Sequence, residues 1–148
     1  MKKLLYHFKK IILWIGLFVI LGISFLLIKL VKFKKLMNFV SNVKEDVSPI
    51  FSEKSLNYIL QFRSEIEKVS KYTPFRSKCF EQALTAHFFL RLLSTSHTIY
   101  FGVGKNEKGE LLAHAWCKTG DIILTGYRTM NSFTAVNQFS YTSSTPRP

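Results

Sequence analysis

The sequence predicts an α+β fold, in which helices pack on a small antiparallel sheet behind an N-terminal hydrophobic helix. Residues 11–28 contain no charge and no proline, as expected of one long apolar helix. Residues 52–93 repeat apolar side chains at helical spacing, and residues 98–141 contain short β-branched and aromatic runs separated by turns. With 148 residues, the chain has room for one domain and an appendage.

The apolar segment is long enough to cross a membrane. Residues 11–28 would extend about 27 Å at ~1.5 Å per helical residue, against about 30 Å of hydrocarbon. We assign residues 1–31 to a basic flank and a transmembrane or membrane-embedded helix, because a signal peptide has a shorter apolar run and a small-residue cleavage site. A buried core helix is the alternative, although the remaining chain is small for covering it. Lysines flank both ends equally, so charge does not orient the segment.

The net charge of +12 does not indicate nucleic-acid binding. The lysines are concentrated before Leu36, where a membrane segment explains them. The sequence has no Gly-rich phosphate loop and no paired cysteines and histidines at the spacing of a metal site. It therefore implies no nucleic acid, metal or cofactor.

Three further segments follow the apolar helix. Residues 32–51 are expected to form a basic amphipathic helix on the membrane surface and then a linker. Residues 52–141 are expected to form the catalytic domain, beginning with a helix that Ser52 caps and in which Glu65, Glu67 and Lys68 face water. Residues 142–148 are expected to be a mobile tail.

A cysteine and a histidine are the candidate functional residues. Cys79 opens an apolar-periodic run, which places it in the first turn of a helix over residues 77–93. Partial positive charge and unpaired N–H groups at a helix start favour the thiolate, the nucleophilic form of cysteine. His114 lies in a strand-like run over residues 111–118, with Trp116 on the same face. A helix-start cysteine facing a strand histidine suits acyl transfer, with Cys79 as nucleophile and His114 as base.

The same residues also have purely structural interpretations. Cys79 and Cys117 are the two cysteines, and a disulfide between them is possible in an oxidising compartment. Alternatively, Cys79 is a buried thiol and His114 a core histidine with satisfied hydrogen bonds. Strand alternation turns Cys117 away from the face of His114, so Cys117 is not the expected nucleophile. His87 lies mid-helix among apolar residues, which indicates a core position, and His97 has no partner that the sequence suggests.

Three short motifs around the candidate pair occur in a distinctive order. The first is a Pro-x-Arg-Ser-x-Cys start, with Pro74, Arg76, Ser77 and Cys79. The second is a strand ending in Phe-Gly-Val-Gly, with Phe101, Gly102, Val103 and Gly104. The third is an Ala-His-Ala-Trp run, with Ala113, His114, Ala115 and Trp116. The pattern, over about residues 48–141, resembles the lasso-peptide maturation proteases, which are leader-removing cysteine proteases of the transglutaminase-like superfamily.

The resemblance implies a papain/transglutaminase-like core and a specific activity. The chain would be a cysteine peptidase that removes the leader from a ribosomally made lasso-peptide precursor. A separate ATP-using lasso cyclase would then close the ring, and a small leader-binding protein would recognise the precursor. Because such precursors are made in the cytoplasm, the resemblance places the catalytic domain on the cytoplasmic side of the inner membrane.

The group that orients His114 is not evident from the sequence. The resemblance implies an acid on the following strand, but Asp121 would lie some four strand residues away, about 13 Å at ~3.3 Å each. Thr125, Asn131 and Asn137 are left as candidates. If the group is missing, activity is expected to be reduced rather than abolished. This leaves open the alternative of a catalytically impaired, membrane-attached scaffold of the same fold that binds the precursor or partner proteins. Transamidation by the same pair is a third, weaker interpretation.

Overall fold

The computed structural model describes residues 2–43, 49 and 52–143, and these residues adopt an α+β fold. The helices are α1 (Lys2–Leu30), α2 (Phe33–Val40), α3 (Glu53–Ser70) and α4 (Cys79–Leu92). The strands are β1 (His97–Lys105), β2 (Leu111–Thr119), β3 (Ile122–Thr125) and β4 (Thr134–Tyr141), with a short 3-10 helix (Met130–Ser132) before β4. They form a four-stranded antiparallel sheet in the order β3-β2-β1-β4.

The two central helices place the candidate residues against the sheet. Ser52 caps α3 as predicted, since its Oγ accepts a hydrogen bond from the Ser55 N–H at 3.2 Å. The stacked rings of Phe62 and Phe89, with centroids 4.4 Å apart, join α3 to α4 in the buried core. Helix α4 packs in turn across β2. The start of α4 and the middle of β2 are therefore held by one core.

Helix α1 packs along α3 and α4 with one face only. Leu17 and Leu21 are fully buried on that face. Nearby, the hydroxyls of Ser24 and Thr85 share a buried hydrogen bond of 3.0 Å. The opposite face of α1 is exposed and apolar. By length and composition alone, the span Leu4–Leu30 could cross a membrane.

The prediction that Glu65 faces water is wrong. Its side chain is turned towards α1 and the residue is only 7% exposed. The Trp14 Nε1–H and the Lys68 ammonium each donate a hydrogen bond of 2.9 Å to the carboxylate, and Lys10 lies 3.7 Å away. Burial by itself raises the pKa of Glu65, but the bonds from Lys68 and Trp14 and the charges of Lys68 and Lys10 lower it below its ordinary value. The charged carboxylate therefore ties α1 to α3.

The apolar stripe of α2 is buried in the protein. Leu36, Met37 and Val40 pack within the core, and α2 lies beside β4, so this stripe is not available to a membrane. At the start of the predicted tail, Thr142 N–H donates to the side chain of Asn42 at 2.8 Å. Residues 44–48 and 50–51 of the predicted linker and 144–148 of the predicted tail lie outside the described residues.

Candidate active site

Cys79 lies in the first turn of α4, as predicted, and is its first residue, since the helix begins two residues later than expected. A buried carboxylate fixes this helix start. The Lys78 backbone N–H donates to Glu81 Oε2 at 3.2 Å, and Arg76 Nε pairs with Glu81 Oε1 at 3.2 Å. Glu81 is buried, whereas the Cys79 thiol is half-buried and free. A carboxylate in the first helical turn offsets the unpaired N–H groups there. The nucleophile candidate therefore lies at a helix start that is fixed by Glu81, and the residue is only partly buried.

Gln82 connects the segment before Cys79 to α3. Its Nε2 amide donates to Ser70 Oγ at 3.2 Å and to the Ser77 carbonyl at 3.1 Å. These bonds join the last residue of α3 to the chain two residues before Cys79. Phe75, in the same connection, stacks on Phe25 of α1 with centroids 5.4 Å apart. The segment that connects α3 to Cys79 is thus held in place by contacts with both α1 and α3.

His114 lies in β2 and is oriented through one ring nitrogen. Its Nε2 lies 3.1 Å from the Gly126 carbonyl oxygen and 3.3 Å from Thr129 Oγ1. A carbonyl oxygen can only accept, so the hydrogen bond to Gly126 assigns the proton to Nε2. In the neutral imidazole, Nδ1 then carries the lone pair. The structure therefore leaves Nδ1 as the ring nitrogen that can accept a proton.

Two aromatic rings pack against the imidazole of His114. Trp116 stacks on His114 at 5.9 Å between centroids, and Phe133 lies 4.8 Å away. Tyr100 stacks on Trp116 in turn, 5.6 Å away. Gly102 makes room for this arrangement, since a Cβ there would lie 2.7 Å from the Trp116 ring. Trp116 is buried, so it packs in the core and supports His114 at the same time.

Cys79 and His114 line the same cleft, which has a volume of about 410 Å³. Residues from the end of α3, from α4 and from the segment after β3 complete its walls: Glu67, Ser70, Lys71, Gln82, Gly126, Arg128, Thr129. Glu67 and Arg128 form an ion pair of 2.9 Å at this cleft. Within the described residues, no hydrogen bond joins the thiol to the imidazole. Catalytic hydrogen bonds are often long before substrate binds.

None of the sequence-predicted orienting candidates bonds to His114 in the described part of the chain. Thr125 lies opposite Cys117 in the β2–β3 ladder, and its hydroxyl accepts from the Cys117 N–H at 3.2 Å. Asn131 and Asn137 are exposed. Asp121 is in the turn where Ile122 pairs with Thr119. Because Thr119 is five positions beyond His114, about 16 Å along the strand at ~3.3 Å per residue, Asp121 is too far from the His114 ring to orient it.

Sequence reasoning missed the groups that do orient His114. They are a backbone carbonyl and a hydroxyl from the loop after β3, Gly126 and Thr129. In the sequence, Gly126 was the one indication of this close approach. It adopts φ +73°, and a Cβ at this position would lie 2.7 Å from His114 Nε2.

The second cysteine is separate from the cleft. Cys117 is fully buried, and burial raises the pKa of its thiol well above the ordinary value. Cys79 and Cys117 are both free, so the disulfide left open by the sequence is not formed in this structure. A buried thiol of raised pKa is a poor nucleophile.

Two further histidines form a buried pair away from the cleft. His97 Nδ1 donates to the Thr95 carbonyl at 2.7 Å, so His97 Nε2 accepts from His87 Nδ1 at 2.8 Å. His87 is in the core as predicted, but its pairing with His97 was not foreseen. Burial and the neighbouring charges lower the pKa of His87 to about 2. Burial lowers the pKa of His97 to about 4. Both rings are therefore neutral in the folded protein near pH 7.

Comparison with known proteins places the fold in a family. A family model described as the transglutaminase-like superfamily matches residues 29–138, from the end of α1 into β4, and this region contains both Cys79 and His114. No curated protein and no solved structure matches the chain. Because the family match covers well over half of the sequence, this protein belongs to the transglutaminase-like superfamily.

Proposed function

We propose that the protein is a cysteine peptidase that removes the leader from a ribosomally made lasso-peptide precursor. The observation that carries this proposal is the common cleft of Cys79 and His114, with the thiol at a helix start and the imidazole fixed through Nε2. Membership of the superfamily supports acyl-transfer chemistry. The order of the motifs around these two residues supports the finer assignment to leader removal.

The reaction begins with proton transfer from the Cys79 thiol to His114 Nδ1. The thiolate attacks the scissile carbonyl carbon, and an S–C bond forms while the carbonyl π electrons move to oxygen. When the tetrahedral intermediate collapses, the C–N bond breaks and the proton on Nδ1 passes to the leaving amine. Water, deprotonated by His114, then attacks the thioester, and the proton returns to the departing sulfur.

The first amides of α4 can stabilise the oxyanion. The initial N–H groups of a helix have no partners within the helix, and the Cys79 N–H is one of them. Because the Lys78 N–H is occupied by Glu81, it is not free to serve as a donor. We assign the Cys79 N–H as one donor of the oxyanion hole, and the second donor is not assigned.

Gly126 and Thr129 take the positioning role that a carboxylate has in a catalytic triad. Both oxygen atoms contact His114 Nε2, and the carbonyl dipole stabilises the N–H of the imidazolium that forms during catalysis. A neutral carbonyl stabilises this cation less than a carboxylate does. We therefore expect a slower enzyme than one with a complete triad, but an active one.

The proposed reaction sets the partners and the location. The precursor and a small leader-binding protein would meet the domain at the cleft, and an ATP-using cyclase would take the released core peptide. Helix α1 would hold the domain at the inner membrane, with the cleft on the cytoplasmic side where precursors are made. The exposed apolar face of α1 and the lysines at its ends support membrane attachment.

The test is cleavage of a lasso precursor with its leader-binding protein, followed by mass spectrometry. The wild-type chain should release leader and core peptides whose summed mass equals that of the precursor plus one water. The Cys79→Ala variant should release neither. The matched control is Cys117→Ala, which removes the buried thiol and should retain cleavage. Cleavage by Cys79→Ala would refute the proposal, and a product carrying an added amine would indicate transamidation.

A catalytically impaired scaffold is the second candidate, favoured by the absence of a carboxylate partner for His114 in the described residues. It predicts that precursor binds without being cleaved. It also predicts that iodoacetamide at pH 7 alkylates Cys79 no faster than free cysteine. Binding and thiol reactivity, measured on the same preparation, separate the two candidates.

A further inference from the structure

The packed face of α1 extends along most of the helix. It begins at Lys10 and Trp14, which contact Glu65, and continues to Ser24 and beyond. Val31, just after the helix end, still packs against the core. From Lys10 to Val31 this is about 32 Å at ~1.5 Å per residue, the full hydrocarbon thickness of a bilayer.

A perpendicular crossing is incompatible with this packing. If α1 crossed a bilayer, the domain beside it would lie at the depth of the lipid chains. That domain carries exposed cations close to α1, such as Lys68, which pairs with Glu65, and Arg76, beside the ring of Phe75 that stacks on α1. Charged groups in hydrocarbon carry a large free-energy cost. Helix α1 therefore cannot cross perpendicularly while the domain stays in water.

Both faces of α1 are mainly apolar, and the polar contacts of the helix lie on its inner face beside the buried Leu17 and Leu21. The polar atoms of Trp14 and Ser24 point inward to Glu65 and Thr85. The outer face carries large, exposed apolar side chains: Leu4, Leu5, Phe8, Ile11, Ile12, Ile15, Phe18, Val19, Ile23, Leu26, Leu30. A continuous apolar face of this kind marks a membrane or protein contact.

The charge around the apolar face indicates which surface it contacts. The sequence contains no acidic residue before Glu45. Exposed lysines lie near both ends of the face, including Lys9, Lys29, Lys32 and Lys34. An apolar face bounded by cations complements a bilayer that contains anionic lipids, whereas a second copy of the same face would bring like charges together.

We propose that α1 lies in the plane of an anionic membrane surface, with its outer face in the lipid and the domain in water. The inference rests on the membrane attachment included in the proposed function and not on its peptidase chemistry. The apolar face then sits ~5–10 Å below the boundary of the head groups along its whole length. Both ends of α1 remain on the same side of the membrane.

Four positions seven residues apart on the outer face provide the test. Leu5, Ile12, Val19 and Leu26 are between 51% and 56% exposed. Each is replaced by cysteine in the Cys79→Ala full-length chain, where Cys117 is buried, and is labelled with a nitroxide. The protein is bound to vesicles of phosphatidylcholine with phosphatidylglycerol, and label depth is measured from the accessibility to oxygen and to a soluble nickel complex.

The in-plane arrangement predicts similar, shallow depths at all four positions. A crossing helix spaces successive labels by about 10 Å along the membrane normal, so the labels at Ile12 and Val19 would lie deep in the bilayer and those at Leu5 and Leu26 near its two surfaces. This depth pattern would overturn the proposal while leaving membrane attachment intact. Failure to bind the vesicles would overturn both the attachment and the in-plane arrangement. A concentration-dependent dimer whose labels stay out of lipid would overturn the proposal in favour of self-association.

Discussion

The substitution Gly126→Ala tests how closely the loop after β3 positions His114. Gly126 has φ +73°, and a Cβ there would lie 2.7 Å from His114 Nε2, 2.8 Å from the Ala115 carbonyl oxygen and 2.9 Å from Trp116 Cβ. Two of these atoms belong to or lie next to the backbone of β2, so they cannot rotate away. The imidazole or the loop must therefore move.

The expected effect has two parts. A non-glycine residue in the left-handed region costs about 1–2 kcal/mol, and crowding in a packed site adds about 1–3 kcal/mol. We therefore expect Gly126→Ala to lower the free energy of unfolding by about 2–5 kcal/mol. A displacement of the base by ~1 Å lowers turnover by about 100-fold. Activity should therefore fall in the molecules that remain folded.

Gly109→Ala is the matched control. Gly109 has φ +78°, and a Cβ added there would meet no atom within 4 Å, so this position has the same backbone strain without the crowding. Urea unfolding should show a loss of only about 1–2 kcal/mol, and precursor cleavage should be unchanged. If folded Gly126→Ala cleaved as fast as Gly109→Ala, His114 would not depend on the Gly126 contact and the proposed positioning would be refuted.

Two further predictions concern a hydrogen bond and a buried pair. Thr129→Val removes the hydroxyl 3.3 Å from His114 Nε2 but leaves the Gly126 carbonyl, so the turnover of precursor cleavage should fall about 2–10-fold. The control variant Asn131→Ala should leave turnover unchanged. Equal rates for the two variants would contradict the role of Thr129. For His87 and His97, the folded-state pKa values of about 2 and about 4 lie below the unfolded value of 6.5, so the unfolded chain binds more protons in acid. Their contribution to stability is present above pH 6.5 and is lost as the pH falls below it, down to about 4 for His97 and about 2 for His87. The loss amounts to about 4 kcal/mol between pH 7.5 and pH 5. Urea unfolding at both pH values measures this loss, and equal stability would show that the pair is not buried as described.

Periodicity and turn chemistry predicted the elements well. The α+β class, the place of Cys79 in a first helical turn and the limits of β3 follow from local patterns that the tertiary structure does not override. Glu65 shows where such patterns fail. Its helical position predicted an exposed side chain, but its partners Trp14 and Lys10 come from a helix far away in sequence.

The groups that orient His114 could not be identified from side-chain motifs in the sequence. A backbone carbonyl such as that of Gly126 is present at every residue, so only the path of the chain shows that it reaches the ring. The β2–β3 ladder that leads to Gly126 also contains a register shift between Cys117 and Lys118, which the sequence does not predict. The pairing of His87 with His97 likewise required the position of α4 relative to β1.

The most direct measurement of the proposed chemistry is the rate at which iodoacetamide alkylates Cys79 at pH 7, in the wild-type chain and in His114→Gln. Free cysteine is only a few per cent thiolate at this pH, so a thiol that transfers its proton to His114 should react about tenfold or more faster. The rate in His114→Gln should fall towards that of free cysteine. Equal rates in the two proteins would show that the imidazole does not take the proton from Cys79.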